Sequence, residues 1–171
     1  MDWPLIIARI VHIGSGMIWF GGAVIGSFFL QRTARDLGDA GRPFMEHLLR
    51  RRRLGVLFPV VATLTIVAGA ALYWRDSGGL QTAWITSPIG IAYTIGGLAA
   101  LAAYVGGMVL IGPSVAAQAA VARELATGDG TPSEEQRRRL AKAERGLRLA
   151  DRIDMPLLTL AVLTMAVGRY L

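Results

Sequence analysis

Two ionisable side chains, Arg9 and His12, stand in a largely apolar stretch that reads ARIVHIGSGMIWFGGAVIG from Ala8 to Gly26. An ionisable group inside a membrane-length apolar block is costly to hold and marks a functional site by default. A neutral imidazole is a donor to metals and to haem iron. A guanidinium one helical turn away suits paired bonds to a carboxylate such as a haem propionate. On a helix, Ser15, Gly16, Trp19, Gly22, Ala23 and Gly26 share the face of His12. Small residues along one stripe let a flat object approach the backbone, and that object is either a partner helix or a planar cofactor.

Both alternatives follow from the same residues. In one, His12 is an axial ligand to a haem b iron. Gly16 then clears space for the macrocycle edge, Trp19 flanks it and Arg9 meets a propionate. In the other, Gly22 and Gly26 form a GxxxG contact between helices, His12 hydrogen-bonds across the bundle and Arg9 snorkels to the headgroups. The only other histidine, His47, lies about 25 Å away by helix rise, so the two cannot share an iron. By depth, Met165 is the candidate sixth ligand, and an open sixth position fits equally well. Copper is the alternative metal, with Met17, Met108, Met155 and Met165 as soft donors, but no MxxM-type cluster gathers them.

Four apolar blocks must position these groups: about 5–30, 54–74, 89–111 and 155–171. A span needs roughly 20 such residues. The expected architecture is all-α, a single domain over residues 1–171, an antiparallel four-helix integral membrane bundle with cytoplasmic helical extensions. The first block follows Met-Asp-Trp-Pro without a basic run and exceeds a signal-peptide core, so it is expected to be a retained helix. Gly112-Pro113-Ser114 predicts a kink at the foot of the third block. Pro43 to Arg53 is expected to begin the second helix below the bilayer. Thr131-Pro132-Ser133-Glu134 predicts a helix start with threonine as cap, after a turn at Gly128-Asp129-Gly130. That helix runs towards the fourth block, where Asp154 and Pro156 predict a bend or a fresh start.

The formal net charge is +6, and its distribution is informative. Arg32, Arg35, Arg42 and Arg50–Arg53 lie between the first two blocks. Arg123, Arg137–Arg139, Lys142, Arg145, Arg148 and Arg152 lie between the last two. Positive-inside logic places both connections in the cytoplasm and both termini outside, in a multi-pass protein of the cell inner (cytoplasmic) membrane. Anionic lipid headgroups, rather than nucleic acid, are the partners these arginines imply. The glycine faces of the first and third helices predict a homo-oligomer, a dimer or trimer. The chain has no cysteine, which excludes disulfides, thiolate metal sites and thiol catalysis. It contains no nucleotide-binding loop, hydrolase triad or carboxylate pair.

The stretch IARIVHIGSGMIWFGG resembles the first helix of HemJ-type protoporphyrinogen oxidases and of related CopD-like membrane proteins. RRRLGVLFPVVATLTIVAGAALYW is similar to their second helix and RIDMPLLTLAVLTMAVGRYL to their last, so the likeness covers most of the chain. The resemblance implies a haem b held through the first-helix histidine, here His12. Two positions depart from it. FFLQRTARD stands where that family tends to carry a further histidine, and ITSPIGIAY where it tends to carry a lysine. What the resemblance implies is therefore the scaffold and its haem rather than protoporphyrinogen oxidation itself. The function expected is haem-b-binding with a redox role, towards a small diffusible ligand or a porphyrin- or quinone-type substrate. The alternative is a non-catalytic module, a copper-handling or transporter accessory subunit, in which His12 is a packing or metal residue.

Overall fold

A computed structural model describes residues 1–127 and 131–171; among them every regular element is helical. The turn expected at Gly128–Gly130 lies outside the described residues. Helix α1 (Trp3–Ile25) starts where the Asp2 carboxylate accepts the Leu5 N–H, with Pro4 in the first turn, where its missing donor costs nothing. It continues through a π-helical turn at Gly26–Leu30 into α2 (Gln31–Asp36). A short 3-10 turn and α3 (Gly41–Glu46) follow, then a second π-helical turn at His47–Arg51. Helix α4 spans Leu54–Asp76 and α5 is a single turn, Thr82–Ile85. Helix α6 (Pro88–Gly106) passes through a third π-helical turn at Gly107–Ile111 into α7 (Gly112–Thr127). Helix α8 is Glu134–Gly168.

Three of these runs, Trp3–Asp36, Leu54–Asp76 and Pro88–Thr127, are long and apolar enough to cross a membrane. Their large apolar side chains face outwards, among them Ile10, Met17, Leu64, Leu98 and Val105. The buried core is made of small residues, Ala99, Ala100 and Ala161, with Ile66 and Leu157 packed against them. That inversion is the expected result where the surrounding solvent is as apolar as leucine and helix contact depends on close backbone approach.

The helices pair antiparallel. Along α1 and α4, Gly22 receives the Phe58 ring, Gly16 faces the Thr65 methyl, and Arg9 reaches Asp76 at 3.9 Å. Along α6 and α8, Gly96 faces Thr164 and Met165, and Gly146 faces Ser114. Hydrogen bonds join α4 to α6, from Thr63 to Tyr104 at 3.0 Å and from Tyr73 to Thr94 at 2.5 Å. Ser27 and Gln31 tie the α1 end to Asp151 on α8.

Four local expectations change. Ser133, not Thr131, caps α8: its hydroxyl accepts the Gln136 N–H and the Gln136 side chain accepts its own N–H, a complete capping box. Helix α8 passes Pro156 without a break for 35 residues; proline removes one backbone bond, and the helix continues through it. The Pro43–Arg53 segment does not run on into α4. Arg53 has φ +56°, and a left-handed residue cannot propagate a right-handed helix. At the foot of α6 the irregularity begins at Gly107, ahead of Gly112-Pro113.

Candidate functional site

His12 occupies the α1–α4 seam. Its Nδ1 lies 2.8 Å from the Thr65 carbonyl oxygen. A carbonyl only accepts, so Nδ1 carries the hydrogen, and in the neutral ring the lone pair sits on Nε2. Among the described residues Nε2 has no hydrogen-bond partner. The residue that admits the ring is Gly69, one turn beyond Thr65. A Cβ there would stand 2.7 Å from His12 Cε1 and 2.9 Å from Nδ1, but 3.7 Å from Nε2. The imidazole therefore lays its Nδ1–Cε1 edge over bare backbone and turns Nε2 away.

Thr65 is held by its neighbours. Its hydroxyl donates to the Val61 carbonyl at 2.8 Å and lies 2.8 Å from the Ser15 hydroxyl, both in buried surroundings. Ser15 in turn lies within 2.5 Å of the Val11 carbonyl. Ser15, Thr65 and His12 thus form one polar knot between two apolar helices. Outer-shell bonds of this kind fix which imidazole nitrogen is presented to a metal.

The remaining sequence candidates are placed as follows. Gly16 faces the Thr65 methyl, where a Cβ would meet it at an ordinary 3.5 Å. Trp19 packs edge-on against Tyr104, ring centroids 6.5 Å apart. Met165 lies against Gly96 on the α6–α8 seam. Arg9 pairs with Asp76 near the N-terminal end of α1, and Arg75 pairs there with Asp2. His47 lines a separate cavity at the opposite end with Pro43, Glu46 and Arg51.

An open cavity of about 570 Å³ continues the α1–α4 seam one turn outward of His12, lined by Leu5, Ala8, Ala71, Trp74, Arg75 and Gly78 among others. Polar and apolar surface line it in near-equal measure, with Arg75 among the lining residues. Gly69, Arg75 and this cavity were not singled out by the sequence. The periodicity that marks Gly69 is visible only once Thr65 and His12 are known to face each other. Among the described residues no group of three or more His, Cys, Asp or Glu gathers as a metal cluster. Met17 and Met108 point outward, 68% and 54% exposed, away from Met165.

A haem needs a protein donor, with the macrocycle supplying four nitrogens. His12, with Nδ1 bonded to the Thr65 carbonyl and no partner at Nε2 among the described residues, offers one; Gly16 lies on the α1–α4 seam and Met165 on the α6–α8 seam. Comparison with family models, with curated proteins and with solved structures finds no match to this chain.

Proposed function

We propose that the protein is a haem-b-binding, redox-active membrane protein, with His12 Nε2 as the axial donor. The observation that supports this most directly is the Nδ1 hydrogen bond to the Thr65 carbonyl. It fixes the tautomer that presents Nε2, the arrangement metal-bound histidines adopt. A bound haem would supply one-electron chemistry and affinity for a small ligand. The chain supplies orientation through Ser15, Thr65 and Gly69. Arg75 and Arg9 offer cations at the outer end, and the cavity beside Ala8 and Trp74 offers apolar walls for a flat substrate of quinone or porphyrin type. In the resemblance noted above, the same histidine is the one implied.

The apolar C-terminal part of α8, lying antiparallel along α6, completes a four-helix bundle in this reading. The arginine-rich connections then lie in the cytoplasm and both termini outside, in the cell inner membrane. Gly14 and Gly97 have nothing within 4 Å of where a Cβ would stand, which suits contact with a second copy in a dimer or trimer.

A second reading has a specific observation in its favour. The fit of His12 over Gly69 is also what a purely structural clasp between α1 and α4 would require. Absorption spectra of the detergent-purified protein, as isolated and after dithionite, separate the two. The haem reading expects a Soret band that shifts on reduction and is lost in His12→Ala; added carbon monoxide reports an open sixth position. A folded, colourless wild-type protein from haem-replete cells leaves the clasp.

A further inference from the structure

Asp154 is the one buried polar side-chain atom without a partner among the described residues: its Oδ1 is sealed from solvent and makes no hydrogen bond. It precedes the fourth apolar block and packs against Gly106, where a Cβ would stand 3.0 Å from that oxygen. Gly106 is the last residue of α6 before the π-helical turn Gly107–Ile111. Single π turns in α-helices concentrate at functional sites, because they leave the backbone ladder locally irregular and easily rearranged.

One turn earlier on α8, Asp151 has the opposite surroundings. Its Oδ1 accepts from Ser27 at 2.9 Å and from Gln31 at 3.2 Å. Ser27 belongs to the π-helical turn that follows α1. The two carboxyls are thus one provided with donors and one deprived of them, side by side. Tyr104 bonds Thr63, Arg32 lies over the Phe28 ring, Arg35 donates to the Gln31 carbonyl, and Arg51–Arg53 at the foot of α4 are exposed. Among the described residues no cation pairs with Asp154: Arg148 pairs with Glu144 and Arg152 is exposed. Burial, with the Asp151 charge adding to it, pushes the Asp154 carboxyl up to about 6.

We infer that Asp154 is a proton-binding site at the cytoplasmic edge of the helices, filled while α8 is closed on Gly106 and emptied as that contact opens. In the closed form the neutral acid rests Oδ1 against the Gly106 Cα–H. Loss of the proton to water leaves a carboxylate that this contact cannot solvate. The carboxylate then draws water in and loosens α8 from the π turn of α6. A negative charge on Asp151, one turn away, adds to the cost of a second charge at Asp154. This site is independent of any cofactor at His12.

Infrared difference spectroscopy during a pH titration of the full chain in lipid nanodiscs tests it. The expected signal is a protonated-carboxyl band lost with a midpoint near 6, absent in Asp154→Asn and moved to lower pH in Asp151→Asn. Gly106→Ala, whose methyl would stand 3.0 Å from Oδ1, displaces the carboxyl and lowers the midpoint as well, so the outcome does not rest on one variant. In parallel, hydrogen exchange at amides 107–111, corrected for its intrinsic pH dependence, is expected to speed up about 10-fold as the band disappears, and not in Asp154→Asn. A wild-type protein with no such band, or a band that survives in Asp154→Asn, overturns the proton site. A titrating band with unchanged exchange overturns the opening.

Discussion

At His12 the decisive neighbour is a residue with no side chain. Gly69 leaves the space into which the imidazole edge fits, and the Thr65 carbonyl fixes the ring within it. Two glycines near His12 therefore have different substitution costs. Gly69→Ala places a methyl within 2.7 Å of the ring, which must swing out and abandon its bond to Thr65. We expect a loss of about 1 kcal/mol in stability for the broken bond, read by unfolding in mixed micelles, together with loss of any pigment. Gly16→Ala meets the Thr65 methyl at ordinary contact distance and is expected to retain both. Equal sensitivity at the two positions would mean that the imidazole does not sit over Gly69. The sequence draws attention to Gly16 because it is one turn from His12 on the same helix. Gly69 is 57 positions away, and only the pairing of α1 with α4 brings it under the ring.

At the level of elements, a carboxylate near the end of α7 ties it to the long extension of α8, beyond the packing of Gly146 on Ser114. Glu124 accepts from Gln136 and from Arg139, at 2.9 and 3.0 Å to the guanidinium nitrogen. The Gln136 amide, with the Arg139 guanidinium, holds Glu124 below its ordinary value of 4.5. A carboxylate whose folded-state pKa is lowered adds stability above its unfolded value and loses it as the pH falls through the folded one. Acidification below about 4.5 is thus expected to release the α7 end from α8. Faster amide exchange over 120–127, after correction for the intrinsic rate, would show it, and Glu124→Gln should abolish the dependence. The same region shows how far local signals reach. The helix start near residue 133 was legible from Thr-Pro-Ser-Glu, but the capping residue was two positions later than expected. Three hydroxyl or small residues in a row make that choice depend on which side chain finds its N3 partner, here Gln136.

Across the whole molecule, the irregular turns fall at one end. The π-helical turns after α1 and α6 lie level with Asp151 and Asp154, while the charged pairs Asp2–Arg75 and Arg9–Asp76 close the other end. Because the chain lacks cysteine, single cysteines report sidedness cleanly. In right-side-out cells or spheroplasts, Gly79→Cys is expected to react with an impermeant maleimide from outside. Arg52→Cys is expected to react only after the cytoplasmic face is opened. The reverse pattern would overturn the assignment of both termini to the outside.

By itself, the sequence determined the helical character, the apolar runs of membrane length and the concentration of arginine in two connections. These properties belong to single segments, since hydropathy, length and charge are sums over neighbouring residues. It also isolated His12, because an imidazole in an apolar run is visible without any partner. The tertiary structure decided what each group meets: Gly69 and Thr65 for His12, Gly96 for Met165, Asp76 for Arg9, and, among the described residues, no partner for Asp154 Oδ1. It also decided that α8 continues through Pro156 while the chain breaks at Arg53. Glycine carries no side chain to announce its partner, and a carboxyl carries no mark of its solvation. Both acquire their meaning from the helix that packs against them.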